Sequence, residues 1–99
     1  MKLTKNEHDI LIHWIKTNFI PRATINHSIH SYNIQYLFEK VYDNGFYVDN
    51  DTIKDAMLEC GFRTDNSRDV NRHFNVSQKS PAVQTRREHF SGDSKVRRL

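Results

Sequence analysis

Six histidines and one cysteine are the residues of this chain with the widest chemical repertoire. His27-Ser-Ile-His30 spaces two imidazoles at i, i+3, and His8 stands five residues before His13. Zinc requires three or four ligands in defined geometry. Cys60 falls on an apolar helical stripe and no C-x-x-C pair accompanies it, so the sequence offers no metal site and no cofactor is expected. The histidines read as surface or capping groups, with His27 and His30 as weak phosphate contacts. A catalytic nucleophile needs an adjacent base and an oxyanion donor. Cys60 has no evident activator, and no G-x-S-x-G, P-loop or H-E-x-x-H occurs. The expectation is a chain with no catalytic residues.

Charge is the stronger signal. The formal net charge is +3, yet residues 1–77 hold nine Lys/Arg against ten Asp/Glu, whereas residues 78–99 hold six against two. Arg63, Arg68, Arg72 and His73 flank a polar turn, and Lys79, Arg86, Arg87, Lys95, Arg97 and Arg98 follow. Together they could form a cationic track for salt-dependent, sequence-tolerant phosphate binding, on which His73 or Phe74 could stack an unpaired base. The alternatives are a core Phe74 and a tail whose charges only solubilise. Asp51, Asp55 and Glu59 fall at i, i+4 and i+8, a line of carboxylates with Lys54 nearby. That line repels phosphate and suits a basic protein partner, unless it is simply a solvated helix face. Tyr32 and Tyr36, one turn apart and offset from the apolar stripe, are further candidates for partner docking, or half-buried tyrosines at the core edge.

The elements that position these groups follow from periodicity. Thr4-Lys-Asn-Glu7 has the form of a capping box before a helix over about 5–19, in which Ile10, Leu11, Trp14, Ile15 and Phe19 form the apolar stripe and Pro21 ends the run. Residues 22–30 lack a sustained period and read as a connection. Ser28 or Ser31 can cap a second helix over about 32–43, with Ile34, Leu37, Phe38 and Val41 at i, i+3, i+4 and i+7, stopped by Asp43-Asn44-Gly45. Phe46-Tyr47-Val48 reads as an extended piece. Asp49 or Asn50 caps a third helix over about 51–60, carrying Ile53, Ala56, Met57 and Cys60, with Gly61 as its C-cap. His73 to Val76 could form a short strand.

The order predicts a mainly α, winged-helix-like domain over residues 1–77: a three-helix core with a small C-terminal β-wing. Residues 78–99 are expected to be a basic, largely flexible tail, in which Ser80-Pro81 resembles the start of a short helix. Ninety-nine residues allow one domain with a thin core. No run of about 18 apolar residues occurs and the N-terminus lacks a continuous apolar segment, so the chain reads as cytoplasmic, with no membrane partner.

Ser31-Tyr32-x-Ile34-x-x-Leu37-Phe38-Glu39, Gly45-Phe-Tyr-Val48-x-Asn50 and Lys54-x-Ala56-Met57-x-x-x-Gly61-Phe62 together resemble a group of small uncharacterised proteins encoded by phages and by chromosomal islands or cassettes of low-GC Gram-positive bacteria. The resemblance spans roughly residues 4–77. Such genes sit in replication and regulation modules, beside primases, helicases or polymerases. The resemblance implies an accessory role in nucleic-acid transactions, and with the acidic third helix and the basic C-terminal track it leads to the expectation of a non-enzymatic accessory protein that docks a larger replication protein and contacts DNA, single-stranded or without strong sequence preference, through the wing arginines and the cationic tail. It carries over no site residue. Two other readings stand beside it: a winged-helix transcriptional regulator binding operator DNA as a dimer, and an inhibitor binding a host or rival protein through the acidic helix.

Overall fold

A computed structural model describes residues 1–65 and 69–87. Helix α1 (Lys5–Asn18) opens with the expected capping box: Thr4 Oγ1 accepts from the Glu7 N–H at 3.1 Å, and Glu7 Oε1 accepts from the Thr4 N–H at 2.9 Å. Leu11, Trp14, Ile15 and Phe19 are buried, and Ile10 packs half-buried at the edge.

The expected connection after α1 is instead a strand, β1 (Pro21–His30), paired antiparallel with β2 (His73–Val76). Its buried residues, Asn26 and Ile29, are three apart, so the alternation that announces a half-buried strand is missing. Pairs form at Pro21–Val76, Asn26–Phe74 and His30–His73, with register shifts between them. Ten residues thus run against four, and β1 bulges twice. On the other side of β2, Thr64 bridges Phe74, and the Asn75 N–H donates to the Arg63 carbonyl. The structure is a helical core with a small antiparallel sheet, a mixed α/β fold.

Helix α2 (Ser31–Tyr36) is shorter than its periodicity predicts, because the chain widens into a π turn over Leu37–Val41, closed by the Tyr42 N–H on the Leu37 carbonyl at 2.9 Å. Its N-cap is His30, not Ser28 or Ser31. His30 Nδ1 accepts from the Asn33 N–H, and Asn33 Oδ1 accepts from the His30 N–H. The buried Ser31 does other work: its N–H donates to the Arg72 carbonyl and its Oγ accepts from the Arg72 N–H, a two-bond clamp between α2 and the entry to β2. Around the π turn, Trp14, Phe38, Tyr42 and Phe46 form an aromatic cluster, with Trp14–Phe38 centroids 5.1 Å apart and Phe38–Phe46 centroids 5.0 Å apart. Phe46 to Val48 has no strand partner among the described residues, and Val48 is buried from a loop.

Helix α3 (Asn50–Glu59) starts at Asp49, whose carboxylate accepts from the Thr52 N–H at 2.9 Å and is held below the usual carboxylate range by hydrogen bonding to Thr52, its side chain first and its backbone N–H second. Ile53, Ala56 and Met57 are buried. Cys60 ends up half-buried at the C-cap, where burial raises its thiol pKa.

Residues 78–80 form a turn, and 81–87 form a further helix, α4. The Ser77 N–H donates to the Ile20 carbonyl, and Ser80 Oγ accepts from the Ile20 N–H at 2.8 Å. This fastens the turn to the α1–β1 junction and seats Ala82 and Val83 in the core, at 4% and 3% exposure. The boundary expected at residue 77 is therefore crossed by packed structure. Arg68, Lys95, Arg97 and Arg98 lie outside the described residues.

The two glycines that end helical segments serve different ends. Gly61 has φ +90° and open space around its Cα, so only conformation selects it. At Gly45 a Cβ would fall inside the Phe38 carbonyl, so close approach selects it. Gly45→Ala should cost about 3 kcal/mol, the upper end for overpacking, and Gly61→Ala about 1 kcal/mol, for a Cβ in the left-handed region. Urea denaturation of the two variants checks this ordering, and equal losses would contradict it.

Candidate nucleic-acid interface and histidine cluster

The basic residues among those described do not line one common cavity. Arg86 and Arg87 of α4 line a groove of about 410 Å³ with Ser28, Ile29, Gln78 and Val83. Its floor is a polar chain: Gln78 Nε2 donates to Ser28 Oγ at 2.6 Å, and Ser28 Oγ donates to Asn26 Oδ1 at 2.6 Å. Lys79 is exposed on the turn entering α4.

Arg63 and Arg72 are placed elsewhere. The Arg63 guanidinium donates to the Ala23 carbonyl in the first bulge of β1. It belongs to a set of side-chain donors that serves four successive carbonyls. Asn75 Nδ2 reaches Arg22 O at 2.9 Å, Arg63 reaches Ala23 O, and the Arg22 guanidinium turns back onto Thr24 O at 3.0 Å and Ile25 O at 3.1 Å. Arg72 lines a separate cavity of about 360 Å³ beside Asp51, Asp55 and Lys54 of α3.

The carboxylate line of α3 is partly neutralised. Lys54 Nζ pairs with Asp51 at 2.9 Å and also donates to the Val70 carbonyl. Glu59 holds His8 of α1 at 3.0 Å, and that hydrogen bond is the main reason the His8 pKa is raised. Asp55 has no ion-pair partner among the described residues and is exposed. Tyr32 is exposed and near His30, with centroids 6.4 Å apart, whereas Tyr36 is half-buried. Phe74 is fully buried, so it can offer no face to a base.

Sequence spacing pairs His27 with His30, but the sheet assembles a different set. His27 of β1, His73 of β2 and Asp65 each present a ligand-type atom within 4.8 Å of the others. His73 Nδ1 lies 3.4 Å from Asp65 Oδ2, and the His27 and His73 rings are 5.2 Å apart. His30 borders this set with its ring 5.8 Å from that of His73. Burial, then the charges of His73 and Arg86, lower the His30 pKa below the ordinary imidazole value, which keeps Nδ1 available to cap α2. No local motif announces the trio, because His27 and Asp65 are brought together only by the pairing of their segments with β2. A third cavity, of about 270 Å³, lies between Trp14, Leu37, Tyr42 and α4.

No family profile, curated protein or solved structure matches this chain. No helix among the described residues is long and apolar enough to cross a membrane.

Asn26 joins the strands to the groove. It is 1% exposed, its Nδ2 donates to the Val76 carbonyl at 2.9 Å, and its Oδ1 accepts from the Ser28 N–H and Oγ. Asn75 does the same between the Arg22 carbonyl and the Arg63 N–H. Truncating Asn26 leaves the buried Val76 carbonyl unpaired and truncating Asn75 leaves part-buried backbone groups unpaired, so Asn26→Ala and Asn75→Ala should each cost about 1–3 kcal/mol. A lowered urea midpoint at constant m-value is the expected reading, and an unchanged midpoint would refute the role.

Proposed function

We propose that this chain is a non-enzymatic accessory module that works in the cytoplasm, contacting DNA through the groove between β1 and α4 and docking a larger replication protein, a polymerase, primase or helicase, through α3. The lining of one groove by Arg86 and Arg87 together with Ser28 and Gln78 is the observation that carries the DNA contact. Two guanidiniums together with neutral hydrogen-bonding groups suit a phosphate backbone and supply little that would read base edges. The exposed Lys79 adds to the same field. Arg63 and Arg72 have less part in it, the first because it serves a carbonyl of β1 and the second because it sits beside carboxylates. The replication setting rests on the resemblance of residues 4–77 alone.

The element order favours a second reading. Helix, strand, two helices and then a strand flanked on both sides are the sequence of parts in a winged helix, which supports an operator-binding regulator. In such a protein α3 would enter the major groove. Asp51 and Asp55 on that helix oppose this docking, so sequence-tolerant binding through the other surface is preferred.

Fluorescence anisotropy with labelled single-stranded and duplex DNA of mixed sequence, at about 50 and 200 mM salt, tests the proposal. Affinity should fall steeply with salt, and Arg86→Ala/Arg87→Ala should reduce the log–log salt slope by roughly one per arginine. Absence of binding at low salt, or an unchanged slope in the double variant, would overturn it.

A further inference from the structure

We propose that His27, Asp65 and His73 form a binding site for a divalent transition-metal ion of the zinc type. Two imidazoles and one carboxylate are a borderline N2O donor set that suits Zn²⁺ and Co²⁺ over Mg²⁺ or Ca²⁺. The three residues come from three adjacent extended segments, β1, β2 and residues 63–65, and their ligand-type atoms already converge to within 4.8 Å. A tetrahedral ion about 2.0–2.2 Å from each ligand wants neighbouring ligand atoms about 3.4 Å apart. His73 Nδ1 and Asp65 Oδ2 stand at 3.4 Å. His27 is exposed, so its ring can rotate to complete the set.

The surroundings hold two of the ligands in place before any ion arrives. The Asp65 N–H donates to the His73 carbonyl at 3.3 Å, fixing the two residues against each other through the backbone. Thr64 Oγ1 donates to that same carbonyl at 2.9 Å and lies 3.5 Å from Asp65 Oδ1, the oxygen that does not face His73. Three protein ligands leave one position for water. A bound ion would cross-link both edges of β2 to their neighbours, at the end of the sheet where register shifts leave the pairing sparse. A metal at this position does not require that the chain bind nucleic acid.

The test is titration of the untagged full chain with Zn²⁺ by calorimetry and with Co²⁺ by visible absorption. One equivalent should bind, Co²⁺ should develop the d–d bands of a tetrahedral site, and Zn²⁺ should raise Tm. His27→Ala, Asp65→Asn and His73→Ala should each weaken Zn²⁺ binding by more than about tenfold, since losing even an outer-shell partner costs that much. His13→Ala should leave it unchanged. His27 is exposed, so its variant keeps the test valid if His73→Ala fails to fold. Absence of saturable uptake, or uptake that survives His27→Ala and Asp65→Asn at full affinity, would overturn the assignment.

Discussion

A ten-residue strand paired with a four-residue strand is the constraint on which the rest of this structure depends. Where the ladder slips, backbone polar groups must find other partners or remain unpaired at a cost of about 1–3 kcal/mol each. Here side chains supply them. Asn26 and Asn75 bridge between segments, and Arg22 and Arg63 serve the carbonyls of the first bulge. Both asparagines are buried, so their amides act in a low-dielectric setting where a missing partner is costly and a satisfied network defines a single arrangement.

The surfaces follow from that stitching. Asn26 Oδ1 holds Ser28, Ser28 holds Gln78, and the turn carrying Gln78 leads into α4, so the buried amide sets the floor beneath Arg86 and Arg87. Asn75 binds the Arg63 N–H and thereby draws the 63–65 segment along β2, which brings Asp65 to His73. The bulges of β1 turn His27 toward the same place. The basic groove and the histidine cluster are thus two products of one irregular sheet, and the carboxylates Asp51 and Asp55 of α3 line a different cavity, shared with Thr64, Arg72 and Phe74.

What was legible in the sequence is what local physics determines. The Thr4/Glu7 capping box, the Ile53-Ala56-Met57 stripe, the Asp49 cap and the left-handed Gly61 each rest on residues within a turn of one another, and each appears as expected. The illegible parts depend on distant partners. β1 shows no alternation because its bulges shift its facing residues, and amides fifty positions away in sequence replace a regular pattern. The sequence points to Ser28 or Ser31 as the cap of α2, whereas His30 takes that place because burial lowers its pKa and leaves Nδ1 able to accept. Helix α2 kept its i, i+3, i+4, i+7 stripe while its last turn widened to bring Tyr42 against Trp14, a choice made by the aromatic cluster. Composition made 78–87 look like tail, yet Ala82 and Val83 needed only the Ser80–Ile20 contact to become core.

Native-state hydrogen exchange at two backbone amides tests the central claim most directly. The Ser28 N–H donates to Asn26 Oδ1 and the Arg63 N–H to Asn75 Oδ1, so neither proton is held by a backbone carbonyl in these contacts. If buried side-chain amides hold the sheet together, both protons should exchange only through global unfolding, as slowly as those in the centre of α1. Exchange at both sites at the rate of open loops, with α1 still protected, would show that the irregular sheet does not depend on them.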